Sequence, residues 1–269
     1  MKKIEDLVLS IVALIVSFGA FKLSAPIIVK SISNEFISAF LGQVIFAAFV
    51  LMFVVVLRKT WIFHSDMRKL KSGWTAALIM LVPLVSGLVQ SFAMIPEISV
   101  TGIEFILFVV RMLLIGFCEE ALFRGIIQNA LHNLFGEDST IRVYLGVICG
   151  SLCFGAVHLG NATSPEITLS DAAVQAIYTF FFGILFATVY FRTGKNLWLV
   201  VIIHAINDFF ALIATGMLSG HSGGESIASA ASSLAENNSP MRILVTFCIY
   251  SAISLFLLRP KKIRQLQEI

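Results

Sequence analysis

Charge is what this sequence has least of. Asp, Glu, Lys and Arg make up 13% of its 269 residues, against roughly 25% in ordinary soluble domains. Hydrophobic residues make up 58%, and the mean hydropathy is +0.93. That balance excludes a water-soluble globular fold and implies an integral membrane protein. Cysteine is scarce too. Cys118, Cys149, Cys153 and Cys248 all fall in apolar stretches with no Cys-x-x-Cys pair, so they read as buried thiols rather than a disulfide framework. Cys153 and His158 are five residues apart and do not share a helix face, which argues against a thiol nucleophile. The net charge of +3 comes from basic residues that flank apolar runs, not from a patch on a soluble surface, so nucleic acid is not an expected partner.

What is present is a succession of apolar stretches near the ~20 residues a helix needs to cross a bilayer. They cover 4–23, 36–57, 74–95, 103–122, 143–159, 172–191, 197–218 and 243–258. The expected fold is all-α: a polytopic membrane bundle of about eight transmembrane helices, one integral domain over 1–269 with its motif-bearing core at 103–218. Most of the 19 Lys and Arg fall on one side: Lys2 and Lys3, the cluster from Arg58 to Lys71, Arg142, Arg192, Lys195, and the tail from Arg259 to Arg264. The positive-inside rule then places both termini in the cytoplasm, as an even number of spans requires. The start resembles a signal peptide, but Glu5 and Asp6 suit an uncleaved first span better. The basic 58–73 segment, with Trp61 and Phe63, suits either an interfacial segment against anionic headgroups or a solvated loop. The stretch 221–240 reads as an external loop, partly helical around 225–236. Pro83 predicts a kink in the third span. Phe180, Phe181, Phe182 and Phe186 read as lipid-facing bulk.

Against that background the run from Cys118 to Arg124 stands out, with Glu119, Glu120 and Arg124 inside an apolar helix. Ionisable residues inside a bilayer are costly and mark functional sites with partners to be found. Arg111, one span-half earlier, either pairs with a neighbouring helix or snorkels outward. The helical pattern continues past Gly125 to about Leu134, which keeps both glutamates within the membrane. Small residues recur four apart at Gly146/Gly150 and Ser151/Gly155, so this helix can approach its neighbours closely and deliver His158 to the interior. A third span carries His204, Asn207 and Asp208 on one face.

Glu120 and Arg124 have the spacing and order of a helical ion pair, which leaves Glu119 to face substrate or water. A carboxylate that shares a proton with a histidine can act as a general base toward water. His204 with the side chain at 207 or 208 can serve a developing oxyanion. The same groups admit other chemistry: two histidines and a carboxylate can hold a catalytic zinc, chains of Asp, Glu and His relay protons in transporters, and polar packing alone could account for them.

The residues resemble the intramembrane CAAX protease and bacteriocin-processing family. Its pattern of Glu-Glu-x-x-x-Arg, Phe-x-x-x-His and His-x-x-x-Asn/Asp is present as Glu119-Glu120-x-x-x-Arg124, Phe154-x-x-x-His158 and His204-x-x-x-Asp208. The resemblance implies an endopeptidase acting on a membrane-associated peptide or protein, with bacteriocin immunity, peptide maturation or envelope regulation among the roles of relatives. Its catalytic set would be Glu119, Glu120, His158, His204 and Asp208, supported by Arg124, Phe154 and Asn207. No cofactor is required by a glutamate-activated water; if zinc takes part, Glu119, His158 and His204 would hold it. A non-proteolytic scaffold, known among relatives, or a proton-coupled transporter is the alternative. The expected setting is a prokaryotic plasma membrane.

One spacing poses a difficulty. His204 lies nine residues beyond Lys195 and His158 sixteen beyond Arg142, a depth difference of about 10 Å at 1.5 Å per residue. If the two histidines meet, the fifth span must start deeper on the cytoplasmic side or tilt strongly.

Overall fold

The computed structural model describes residues 2–164, 167–218 and 240–268. These residues form a helical bundle with no strand among them. The elements are α1 (Lys2–Ser31), α2 (Glu35–Val56), α3 (Met67–Ser72), α4 (Trp74–Ile79), α5 (Leu81–Ser91), α6 (Gly102–Glu120), a π-helical segment (Ala121–Gln128), α7 (Asn129–Phe135), α8 (Thr140–His158), α9 (Leu169–Arg192), α10 (Leu197–Ala214), α11 (Pro240–Leu257) and α12 (Pro260–Gln267). Short 3-10 turns occupy Thr60–Phe63, Phe92–Glu97 and Leu159–Thr163.

Six helical stretches among the described residues are long and apolar enough to cross a membrane: α1, α2, α4 with α5, α8 with the turn after it, α9 and α10. Of the remaining two expected spans, α6 carries Glu104, Arg111, Glu119 and Glu120 in its short length, and α11 covers most of the last. The protein is a multi-pass helical membrane protein. The predicted external loop over 221–239 lies outside the described residues.

Local chemistry sets the helix ends. Thr101 with Glu104 and Thr168 with Asp171 form capping boxes at α6 and α9, and Asn34, Ser139 and Asn196 cap α2, α8 and α10, each side chain supplying an acceptor that the first turn lacks. The third expected span breaks at Met80, between α4 and α5. Pro83 has no N–H to give to the Ile79 carbonyl, which is where α4 ends.

Packing follows the glycines. A Cβ on Gly116 would stand 2.7 Å from the Val201 carbonyl oxygen, so α6 and α10 touch backbone to backbone. Gly146 and Gly150 face α7 and the π-helical segment, where they meet His132 and Gln128, while Ser151 and Gly155 face α9. The expected small-residue stripe therefore serves two neighbours, one on each side of α8.

The 58–73 segment is less loop-like than its composition suggests. Lys59 and Ile62 are buried, and Lys59 Nζ pairs with Asp6 Oδ1 at 2.8 Å, with Ser10 Oγ and the Ile126 carbonyl oxygen each at 3.3 Å. The acidic residue that looked out of place in a basic leader is thus the partner of a buried lysine. At the end of the bundle before α10, Lys195 and Glu137 pair at 2.7 Å. Outside the bundle, the Arg142 guanidinium holds the Asp138 carboxyl below its usual range, and Arg68 does the same for Asp66.

Candidate active site

α6 brings Glu119 and Glu120 to its last turn, and the Gly116 contact sets them against α10. Glu120 is fully buried. Its Oε1 accepts from His204 Nδ1 at 2.7 Å and lies 3.1 Å from Arg124 Nη1. The ion pair expected from spacing alone is therefore present, though it is not aligned as a hydrogen bond: Arg124 Nη2 instead donates to the Gly183 carbonyl at 3.4 Å. The guanidinium lies 4.5 Å from the Phe154 ring centroid and 5.6 Å from that of Phe186.

His204 is the hub. With Nδ1 committed to Glu120, its Nε2 stands 3.6 Å from Glu119 Oε2 and 3.4 Å from Asp208 Oδ2. Both distances exceed an ordinary hydrogen bond, so Nε2 is committed to neither carboxylate. The side chain of Glu119 keeps 18% of its surface and that of Asp208 24%, whereas Glu120 keeps none. The two adjacent glutamates thus face different environments: one holds the scaffold of the site and the other can reach a ligand. Asn207 lies with its amide against the Asp208 carboxylate.

His158 closes α8, and its Nδ1 donates to the Phe154 carbonyl at 2.8 Å. Its ring meets the Phe154 ring edge-on at 5.1 Å, and the same Phe154 ring meets His204 at 6.1 Å. The helix starts at Thr140, three residues earlier than expected, and the two histidines are linked through the Phe154 ring. Glu119, Glu120, Arg124, His204 and Asp208 come together directly, while His158 joins through Phe154.

Two expectations change. Phe182 and Phe186 are not lipid-facing: they are buried against the His204 ring, with centroids at 6.1 and 5.4 Å. Their i, i+4 spacing beside Gly183, which packs on Ser151 and Phe154, was the available sign. Arg111 neither snorkels nor forms an ion pair among the described residues; it is buried, and its Nε has no hydrogen-bond partner. Sequence reasoning also passed over Asn129 and Tyr190, whose side chains meet beneath the site at 2.8 Å.

For zinc, Glu119, His158 and His204 would have to converge. Among the described residues no group of three or more His, Cys, Asp or Glu stands where one ion could be held, and His158 meets the His204 centre only through the Phe154 ring. These residues do not fit a resident zinc ion as arranged.

The bundle and its carboxylate–histidine centre define a class: a polytopic membrane protein with an intramembrane site suited to hydrolysis. Residues 101–210 match the family described as type II CAAX prenyl endopeptidase Rce1-like, a match that opens on the Thr101 cap and takes in all three motifs. Over this segment the chain is similar to the CAAX protease and bacteriocin-processing family. No curated protein and no solved structure matches the chain.

Proposed function

We propose that this protein is an intramembrane endopeptidase that cuts a membrane-associated peptide or protein with a glutamate-activated water. The observation that carries the reading is the setting of His204, whose Nδ1 is fixed by Glu120 so that Nε2 stands between Glu119 and Asp208. Fixing one ring nitrogen decides what the other can do.

Glu119 is the general base. It accepts a proton from water as the water oxygen attacks the scissile carbonyl carbon. His204, its Nδ1 held by Glu120, meets the oxyanion through Nε2, and the Asn207 amide supplies a second donor. Asp208 orients His204 and takes no charge-stabilising part, because an ionised carboxylate would repel the oxyanion. When the intermediate collapses, the C–N bond breaks and the proton held on Glu119 passes to the leaving amine. His158, through its Nε2, assists the water. Glu120 and Arg124 act by positioning, and Phe154, Phe182 and Phe186 keep bulk water from His204.

The test is cleavage in liposomes of paired peptides, prenylated and unprenylated at a C-terminal Cys-containing motif, read by mass spectrometry. Wild type is compared with His158→Ala, each with and without a strong chelator. Cleavage that fails in the variant and ignores the chelator supports the reading, and preference within the pair defines the substrate. Chelator sensitivity restored by zinc would overturn the metal-free step. Absence of cleavage across a broad panel of membrane peptides would pass the lead to a scaffold or carrier role.

A further inference from the structure

Directly after the two glutamates the main chain widens into a π-helix over Ala121–Gln128. Such segments are rare, short and concentrated at functional sites, because i→i+5 bonding serves the carbonyls poorly and must be stabilised from outside. Here that outside support is visible. The Asn129 amide Nδ2 donates to the carbonyls of both Arg124 and Gly125 at 3.0 Å, and to the Tyr190 hydroxyl at 2.8 Å. The next carbonyl, Ile126, accepts from Lys59 Nζ at 3.3 Å. Three successive carbonyls of the widened turn are thus held by side chains rather than by the helix alone.

We infer that Asn129, braced by Tyr190, is a positioning residue for the site: it holds the π-helical main chain in the register that sets Glu119 and Glu120 against His204. Lys59, tied to Asp6 and Ser10, is the second clamp. The inference rests on the reading of Glu119 as the base but deepens it, because it assigns the geometry of that base to groups that touch neither water nor substrate.

Three features support it. Asn129 and Tyr190 are both buried, in a place where an amide and a phenol would otherwise be costly. The amide has two hydrogens for three acceptors, so one is shared between the Arg124 and Gly125 carbonyls, which ties both to one atom. The Arg124 side chain that reaches Glu120 leaves from the same residue whose carbonyl Asn129 holds. A shift of the widened turn therefore moves Arg124, Glu120 and then the His204 ring.

The test uses full-length protein in lipid nanodiscs as wild type, Asn129→Leu, Tyr190→Phe and Lys59→Met. Two readouts are taken: steady-state cleavage, and the ¹⁵N imidazole signals of His204, assigned by their loss in His204→Gln. Asn129→Leu is expected to lower kcat about 10²-fold with KM little changed, as ångström-scale misplacement of a catalytic group does, and to move the His204 Nδ1 signal. Tyr190→Phe is expected to shift both the same way to a smaller extent, and it decides the matter if Asn129→Leu does not fold. Lys59→Arg should restore what Lys59→Met loses. His204 signals unchanged in Asn129→Leu and Tyr190→Phe would overturn the inference, as would a loss of activity that tracks only the folded fraction. The imidazole readout needs no substrate, so a wild type that cuts nothing sinks the protease reading while the positioning role is still decided.

Discussion

The first helix and the segment that follows the two glutamates are built on opposite terms. α1 runs for 30 residues and buries only Ser10, Ala13, Leu14 and Ser17, with Ile4, Val8, Ile15 and Leu23 among its exposed apolar side chains. From Glu120 to His132 every residue is buried, and that run includes Arg124, Gln128, Asn129 and His132. In lipid an apolar face gains nothing by turning inward, so a peripheral helix needs only a narrow seam and a few polar ties. A helix enclosed on all sides can carry charge and amide groups, provided each finds a partner. The lesson is that polarity in this protein marks enclosure: polar groups gather where neighbours surround the chain, and apolar ones spread where lipid does.

The contrast can be broken at several points. The sharpest is Arg124→Ala, which takes the guanidinium from the buried Glu120 carboxylate and leaves it to His204 alone; it should cost about 3 kcal/mol, seen as a lower midpoint in detergent or denaturant titration. Next is the division between adjacent polar residues on α10. Asn207→Ala should lower kcat about 10²–10³-fold, as loss of one oxyanion donor does, while Asp208→Asn retains activity; the reverse pattern in the cleavage assay would reassign the donor. Gly116→Ala pushes a methyl into the Val201 carbonyl and should cost about 1–3 kcal/mol with reduced cleavage, because α6 and α10 must part. Smallest is Ile15→Ala on the lipid face of α1, expected to change stability by less than about 0.5 kcal/mol. A large effect there would mean that α1 faces a protein partner rather than lipid.

Much of this was legible in the sequence. Hydropathy and basic flanks place the helices, and three short motifs name Glu119, Glu120, Arg124, His158, His204 and Asp208. Spacing alone foretells the Glu120–Arg124 pair and the continuation of the helix to about Leu134. It could not foretell that the continuation is a π-helix, because the cause is distributed: Asn129, Tyr190 and Lys59 come from three elements and meet only in the folded bundle. Phe182 and Phe186 were misread for a related reason. Apolar residues on a membrane helix look alike whether they face lipid or a buried imidazole, and only the neighbouring Gly183 hints which side is inside. Arg111 remains the opposite case: the sequence flags it, and the structure buries it with no ion-pair partner among the described residues.

The central claim is that two neighbouring glutamates divide the work, Glu119 reacting and Glu120 holding His204 and Arg124 in place. It is tested most directly by measuring cleavage and thermal stability side by side for Glu119→Gln and Glu120→Gln in the same membrane preparation. The account predicts that Glu119→Gln keeps wild-type stability and loses cleavage, whereas Glu120→Gln lowers stability and loses cleavage with it. A Glu119→Gln protein that still cuts its substrate at the wild-type rate would contradict the account.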